Sequence, residues 1–106
     1  MKSAAEEIEM MRGFIRRKRR ERTERLSKKL AQARADFAAI VEMIIAEYNP
    51  ERIYQWGSLV DGKTFQEISD IDIALAGIED PKTFLELYGK AKERTAFPLH
   101  IVQLES

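Results

Sequence analysis

The chain has no cysteine, one histidine, one tryptophan and three prolines in 106 residues, and the first of those prolines is Pro50. Each shortage removes a class of explanation. Without cysteine, neither a disulfide framework nor a Cys-ligated zinc site can form, which fits a reducing cytoplasm. No apolar run approaches the roughly 18 residues of a membrane span. The N-terminus passes from acids into Arg and Lys without an apolar stretch, so neither a signal peptide nor a membrane association is expected. A chain this short supports one modest core.

Charge, by contrast, is abundant. Charged residues make up 34% of the chain and sum to zero, but their distribution is lopsided. Residues 12–34 contain eleven of the Lys and Arg against only Glu21 and Glu24, whereas residues 35–106 contain six bases and thirteen acids. A basic stem is joined to an acidic head. Arg16-Arg17-Lys18-Arg19-Arg20, with Arg22, Arg25, Lys28 and Lys29, is compatible with phosphate neutralisation on nucleic acid, with docking on an acidic protein, or with a solvated helix. No aromatic residue interleaves with the cluster, which weakens the case for stacking on single strands.

Between Ala4 and Tyr48 there is no proline and one glycine, Gly13. Leu26, Leu30, Ala33, Phe37, Ile40, Ile44 and Tyr48 step by three or four, the spacing of one helical face, and Ile8, Met11 and Ile15 extend it upstream. This predicts either one long helix or a basic arm over residues 1–21 leading into a helix from about Arg22, within a domain spanning 22–106. The helix should end at Asn49-Pro50, because a residue before proline resists the α region. Arg52–Trp56 reads as a strand, with Tyr54 and Trp56 expected in the core. Turns follow at Gly57-Ser58 and Asp61-Gly62, then a strand over Ser69–Ala76 ended by Gly77. Pro81 opens a helix to about Arg94, with Phe84, Leu85, Leu87, Tyr88 and Ala91 inward, and Pro98 opens a last strand, Leu99–Gln103. The expected class is α+β: a small mixed sheet with helices on one side and a long N-terminal helix.

Asp70 and Asp72 stand beside an apolar run, Ile71-Ile73-Ala74-Leu75. Acids two apart on a strand share a face and repel unless a cation lies between them. Paired carboxylates suit a hard divalent cation such as Mg²⁺, which commonly bridges protein oxygens to substrate phosphates. Upstream, Gly57 permits close approach of backbone to a phosphate, and backbone N–H groups with the Ser58 hydroxyl can donate to its oxygens. Either half alone is unspecific: such a turn is usually only a turn, and such a pair is usually surface charge.

Together, Trp56-Gly57-Ser58, Asp61-Gly62 and Ser69-Asp70-Ile71-Asp72-Ile73-Ala74-Leu75 resemble the nucleotidyltransferase superfamily of DNA polymerase β in its minimal single-domain form. The resemblance covers roughly Arg52 to Glu105. It implies the polymerase β-like fold, with Gly57 and Ser58 holding the phosphates of ATP or another nucleoside triphosphate. Asp70 and Asp72 would bind Mg²⁺ or Mn²⁺. The implied reaction is attack of a hydroxyl on the α-phosphorus with release of pyrophosphate. Minimal members are often paired as antitoxins with a helical HEPN partner, and some attach AMP to a partner tyrosine. A homo-oligomer is also compatible with the stem.

One position departs from the family pattern. A third carboxylate belongs on the neighbouring strand, and alignment of Leu99-His100-Ile101-Val102 puts His100 there. Glu105 lies an odd number of residues away and points to the other face if the strand continues. His100 can ligate a metal, although imidazole suits transition metals better than Mg²⁺. It can act as a base near neutral pH, or simply sit beside the site as a satisfied polar residue. The alternative to an active transferase is a non-catalytic antitoxin or adaptor that keeps the fold to bind a helical partner.

Overall fold

A computed structural model describes residues 1–61 and 69–105, with the side chains of Ser58 and Asp61 outside that description. The elements run α1 (Ala4–Tyr48), β1 (Arg52–Trp56), α2 (Ser58–Asp61), β2 (Ile71–Ala76), α3 (Pro81–Lys92) and β3 (Leu99–Leu104). The class is α+β, as expected. Gly62 of the second expected turn lies outside the described residues. Among the described residues no helix is long and apolar enough to cross a membrane.

Of the two readings of the N-terminal region, the single long helix is the one that forms. α1 runs 45 residues without a break at Gly13, and the molecule measures 72 × 22 × 18 Å as a result. Its N-terminus is capped by Ser3, whose side chain accepts from the Glu6 N–H, and Glu6 and Glu7 complement the positive end of the helix dipole. It ends where proline predicts. Asn49 takes the left-handed conformation, φ 47°, and donates its N–H to the Ile44 carbonyl at 3.2 Å. Asn tolerates that conformation better than most residues, and Pro50 forbids another helical turn.

The sheet has the order β1-β2-β3, antiparallel between β1 and β2 and parallel between β2 and β3. Every residue of central β2 is buried. Ile71, Ile73 and Leu75 point into the core with Ala33, Ile40, Met43 and Ile44 of α1 and Leu87 and Ala91 of α3. Alternation sends Asp72, Ala74 and Ala76 to the opposite face. Gly77 ends β2 at φ 93°, and a Cβ there would lie 2.7 Å from the Glu51 nitrogen. That nitrogen donates to the Ala76 carbonyl at 2.9 Å, so the β1–β2 ladder requires a residue without a side chain at Gly77.

Polar links lock the helices to this frame. Lys90 of α3 reaches Glu47 of α1 at 2.9 Å and Glu86 at 3.4 Å, and lies over the Tyr48 ring. The Glu47 hydrogen bond, foremost, holds the Lys90 ammonium more firmly protonated than usual. Tyr48 donates to Glu86 at 3.1 Å, and burial with the Glu86 carboxylate pushes its phenol upward. Asp80 caps α3 by accepting from the Thr83 N–H and hydroxyl, which lowers its pKa. Tyr88 donates to the Leu99 carbonyl at 3.0 Å, fixing the start of β3.

Three expectations need correction. Leu85, expected on the inner side of α3, is 69% exposed, because it falls off the stripe that Phe84, Leu87, Tyr88 and Ala91 form at steps of three and four. Tyr54 and Trp56, expected in the core, are exposed because alternation along β1 puts them on the face without helices. The second strand begins at Ile71 rather than Ser69, so Asp70 immediately precedes it. Leu87→Ala should therefore lower the unfolding free energy by about 2–5 kcal/mol, whereas Leu85→Ala should change it by less than about 0.5 kcal/mol. Urea denaturation of the two variants against wild type checks this.

Candidate functional site

Strand register brings the chemistry together. Asp72 is the partner of Trp56 across the antiparallel pair and of His100 across the parallel pair, so the three form one row on the uncovered face. Asp70, two residues before Asp72, reaches the same place. The His100 ring stands between the two acids, its Nδ1 3.5 Å from Asp72 Oδ1 and its Nε2 3.5 Å from Asp70 Oδ2. Each of the three residues offers a ligand atom within 4.8 Å of the others. The two acids and the histidine singled out in the sequence thus share one site.

The group opens outward from the interior. The Asp72 side chain is 12% exposed, that of Asp70 32% and that of His100 62%. Burial pushes the Asp72 carboxyl above the usual carboxylate range, the neighbouring Asp70 charge pushes it further, and His100 partly opposes both. A carboxylate held this way gains from a cation placed against it. Two carboxylate oxygens and one imidazole nitrogen are a donor set for a divalent metal, with the carboxylates suited to Mg²⁺ and the imidazole to a transition ion.

Gly57 adjoins Asp72 directly. It has φ 84°, and a Cβ added there would overlap the Asp72 carboxylate. The glycine therefore serves two needs at once: a left-handed turn out of β1, and space for an acid on the next strand. The sequence offered the first reason but not the second, since nothing in Trp56-Gly57-Ser58 shows which side chain will face the turn. Ser58 is the first residue of α2, a single turn that begins immediately after Gly57, with the Val60 N–H donating to the Gly57 carbonyl at 3.2 Å.

No protein-family model, curated protein or solved structure matches the chain. Residues and geometry alone carry the functional reading.

Trp56 is the site neighbour that the sequence reading assigned elsewhere. It is 47% exposed and continues into an apolar shelf made with Tyr54, Ala74, Val102 and Leu104. Its period-two relation to Tyr54 was visible, but which face the helices would cover was not.

The raised Asp72 pKa has a signed consequence. The folded state binds that proton more tightly than the unfolded chain, so ionised Asp72 opposes folding. The penalty is full at neutral pH and fades as pH falls through the raised value. Asp72→Asn removes it and should raise Tm by about 2–6 °C at pH 7 in EDTA. Calorimetric melts should show this gap closing as pH is lowered toward the carboxylate range.

Proposed function

We propose that the chain is a minimal nucleotidyltransferase domain that binds a divalent cation and a nucleoside triphosphate and transfers a nucleotidyl group, AMP if ATP is used, to a hydroxyl. The observation that carries this reading is the meeting of Asp70, Asp72 and His100 beside the Gly57 turn on an uncovered sheet face. In this reading Asp70 and Asp72 hold the cation, and the backbone from Gly57 into α2 takes the distal phosphates. A bound divalent cation supplies charge neutralisation at the phosphates and lowers the barrier to substitution at phosphorus. In this reading His100, open to solvent and 3.5 Å from each acid, would be the group to take the proton of the attacking hydroxyl. In this reading the acceptor would approach over the apolar shelf beyond Trp56. The reaction makes a bond from the acceptor oxygen to the α-phosphorus and breaks the bond to pyrophosphate.

A second reading is favoured by one specific observation, the imidazole at the third ligand position. In that reading the fold is kept as a non-catalytic antitoxin or adaptor for a helical, HEPN-type partner, and the acids remain without turnover.

Transfer of label from α-labelled ATP to protein, with pyrophosphate release measured in parallel, tests the first reading. Asp72→Asn should lower transfer by about three orders of magnitude or more, as expected for losing several kcal/mol of cation-dependent stabilisation. If His100 stands where an oxygen ligand would serve Mg²⁺ better, His100→Asp should raise Mg²⁺-supported transfer about tenfold or more, and His100→Ala should not. Wild type without transfer, but holding a helical partner through purification, would favour the adaptor.

A further inference from the structure

The basic stretch of the sequence is compatible with nucleic acid, an acidic protein or plain solvent, and the form of the helix separates these three. All eleven bases of residues 12–34 are exposed on α1, and between Arg12 and Lys29 only Glu21 and Leu26 are partly covered. The first buried residue of the helix is Ala33. The basic stretch therefore stands almost clear of the head.

Its charge surrounds the helix. At 3.6 residues per turn the eleven side chains leave no gap wider than about 60° around the axis, and the consecutive bases Arg16–Arg19 alone point to four sides. Bases three and four apart, such as Arg16 with Arg19 and Arg20, repel one another along the surface. Compensation within the helix is slight. Arg12 and Arg16 share Glu9 at 3.5 and 3.9 Å, and Lys18 lies 3.6 Å from Glu21, all with side chains 46% exposed or more. Exposed pairs of this kind contribute little.

We propose that the stem binds double-stranded DNA, lying in the major groove with phosphates along both flanks. A helix with its side chains is about 10–12 Å across, and the major groove of B-form DNA is about 12 Å wide. A helix seated there meets a phosphate ridge on each flank and base edges in front, so three sides of an all-round basic helix find acceptors. An acidic protein surface meets one side, and solvent leaves the repulsion between neighbouring bases in place. The other nucleic acids fit less well. No aromatic residue stands between Phe14 and Phe37 to stack on unpaired bases. The major groove of A-form RNA is too deep and narrow for side chains to enter.

The flanking charge confines the contact. Residues 1–11 carry Glu6, Glu7 and Glu9 against Lys2, and residues 35–106 carry thirteen acids against six bases. A polyanion is thus held to residues 12–34, about 33 Å of helix. The row Trp56–Asp72–His100 lies on the sheet and takes no part, so this contact is independent of the nucleotidyltransferase reading.

Fluorescence anisotropy of a labelled DNA duplex of about 20 base pairs, titrated with the full chain in EDTA from about 50 to 200 mM KCl, tests this. Contact with about six phosphates gives a slope of log affinity against log salt near −5, a loss of about 1,000-fold across that range. A duplex of unrelated sequence should bind within about threefold, because phosphates carry no sequence. Replacing four bases together, Arg16→Gln, Arg17→Gln, Arg19→Gln and Arg20→Gln, should flatten the slope by about 3 and weaken binding about 100-fold. Glutamine favours helix about as well as arginine, so far-UV dichroism should not change. Unlabelled single-stranded DNA, duplex RNA and polyglutamate of equal charge should each displace the duplex at least about tenfold less well than duplex DNA does. No binding at 50 mM KCl, a slope shallower than about −2, or a fourfold variant that binds like wild type overturns the proposal. So does a competitor as effective as duplex DNA, which would assign the stem to that competitor's class instead.

Discussion

A central strand whose every residue is buried tolerates charge only where something compensates it, and β2 contains one charged residue, Asp72. The rest of the site follows from how that carboxylate is accommodated. On one side the backbone of Gly57 withdraws to leave it room. On the other, His100 turns a ring nitrogen toward it at 3.5 Å. Neither removes the penalty: burial and Asp70 together still press the carboxyl toward its protonated form. A cation placed there would relieve repulsion that the fold itself leaves in place. Structural economy alone would place an apolar residue at the centre of such a strand.

The same three-stranded sheet separates two surfaces with different chemistry. Its helical side is closed by α1 and α3 and locked at the rim by Lys90, Glu47, Glu86 and Tyr48. Its other side stays open, acidic at the end that holds Asp70 and Asp72 and apolar along Tyr54, Trp56, Val102 and Leu104. The packed helical side holds the two acids close together, and the other face leaves them accessible. The extended stem adds a third surface, exposed along residues 1–20, that carries basic and apolar side chains together.

Much of this was legible from residue order. The end of α1 could be read from Asn49-Pro50, because proline restricts its predecessor whatever the surroundings. The strand–helix–strand order from β2 to β3 followed from Gly77, Pro81 and Pro98, each a local backbone constraint. The pairing of Asp70 with Asp72 needed only the two-residue period of a strand, and the alignment that placed His100 beside them needed a resemblance to a known family of nucleotidyltransferases. Leu85 was misread because a helical stripe is wide enough for one extra apolar residue to look inward.

What the sequence determined by itself was local: where helices must stop, where glycine must turn the chain, and which residues share a parity along each strand. Tertiary structure alone decided which parity faces the helices, and with it that Tyr54 and Trp56 lie on the uncovered face; Asp72 shares that face but is enclosed because its strand is central, flanked by β1 and β3. Parity is a property of one strand, but facing depends on the face against which α1 and α3 pack. The close approach of Gly57 to Asp72, residues separated by the segment 58–71, depends likewise on pairing between strands. No local preference encodes that distance; it exists only once β1 and β2 lie side by side.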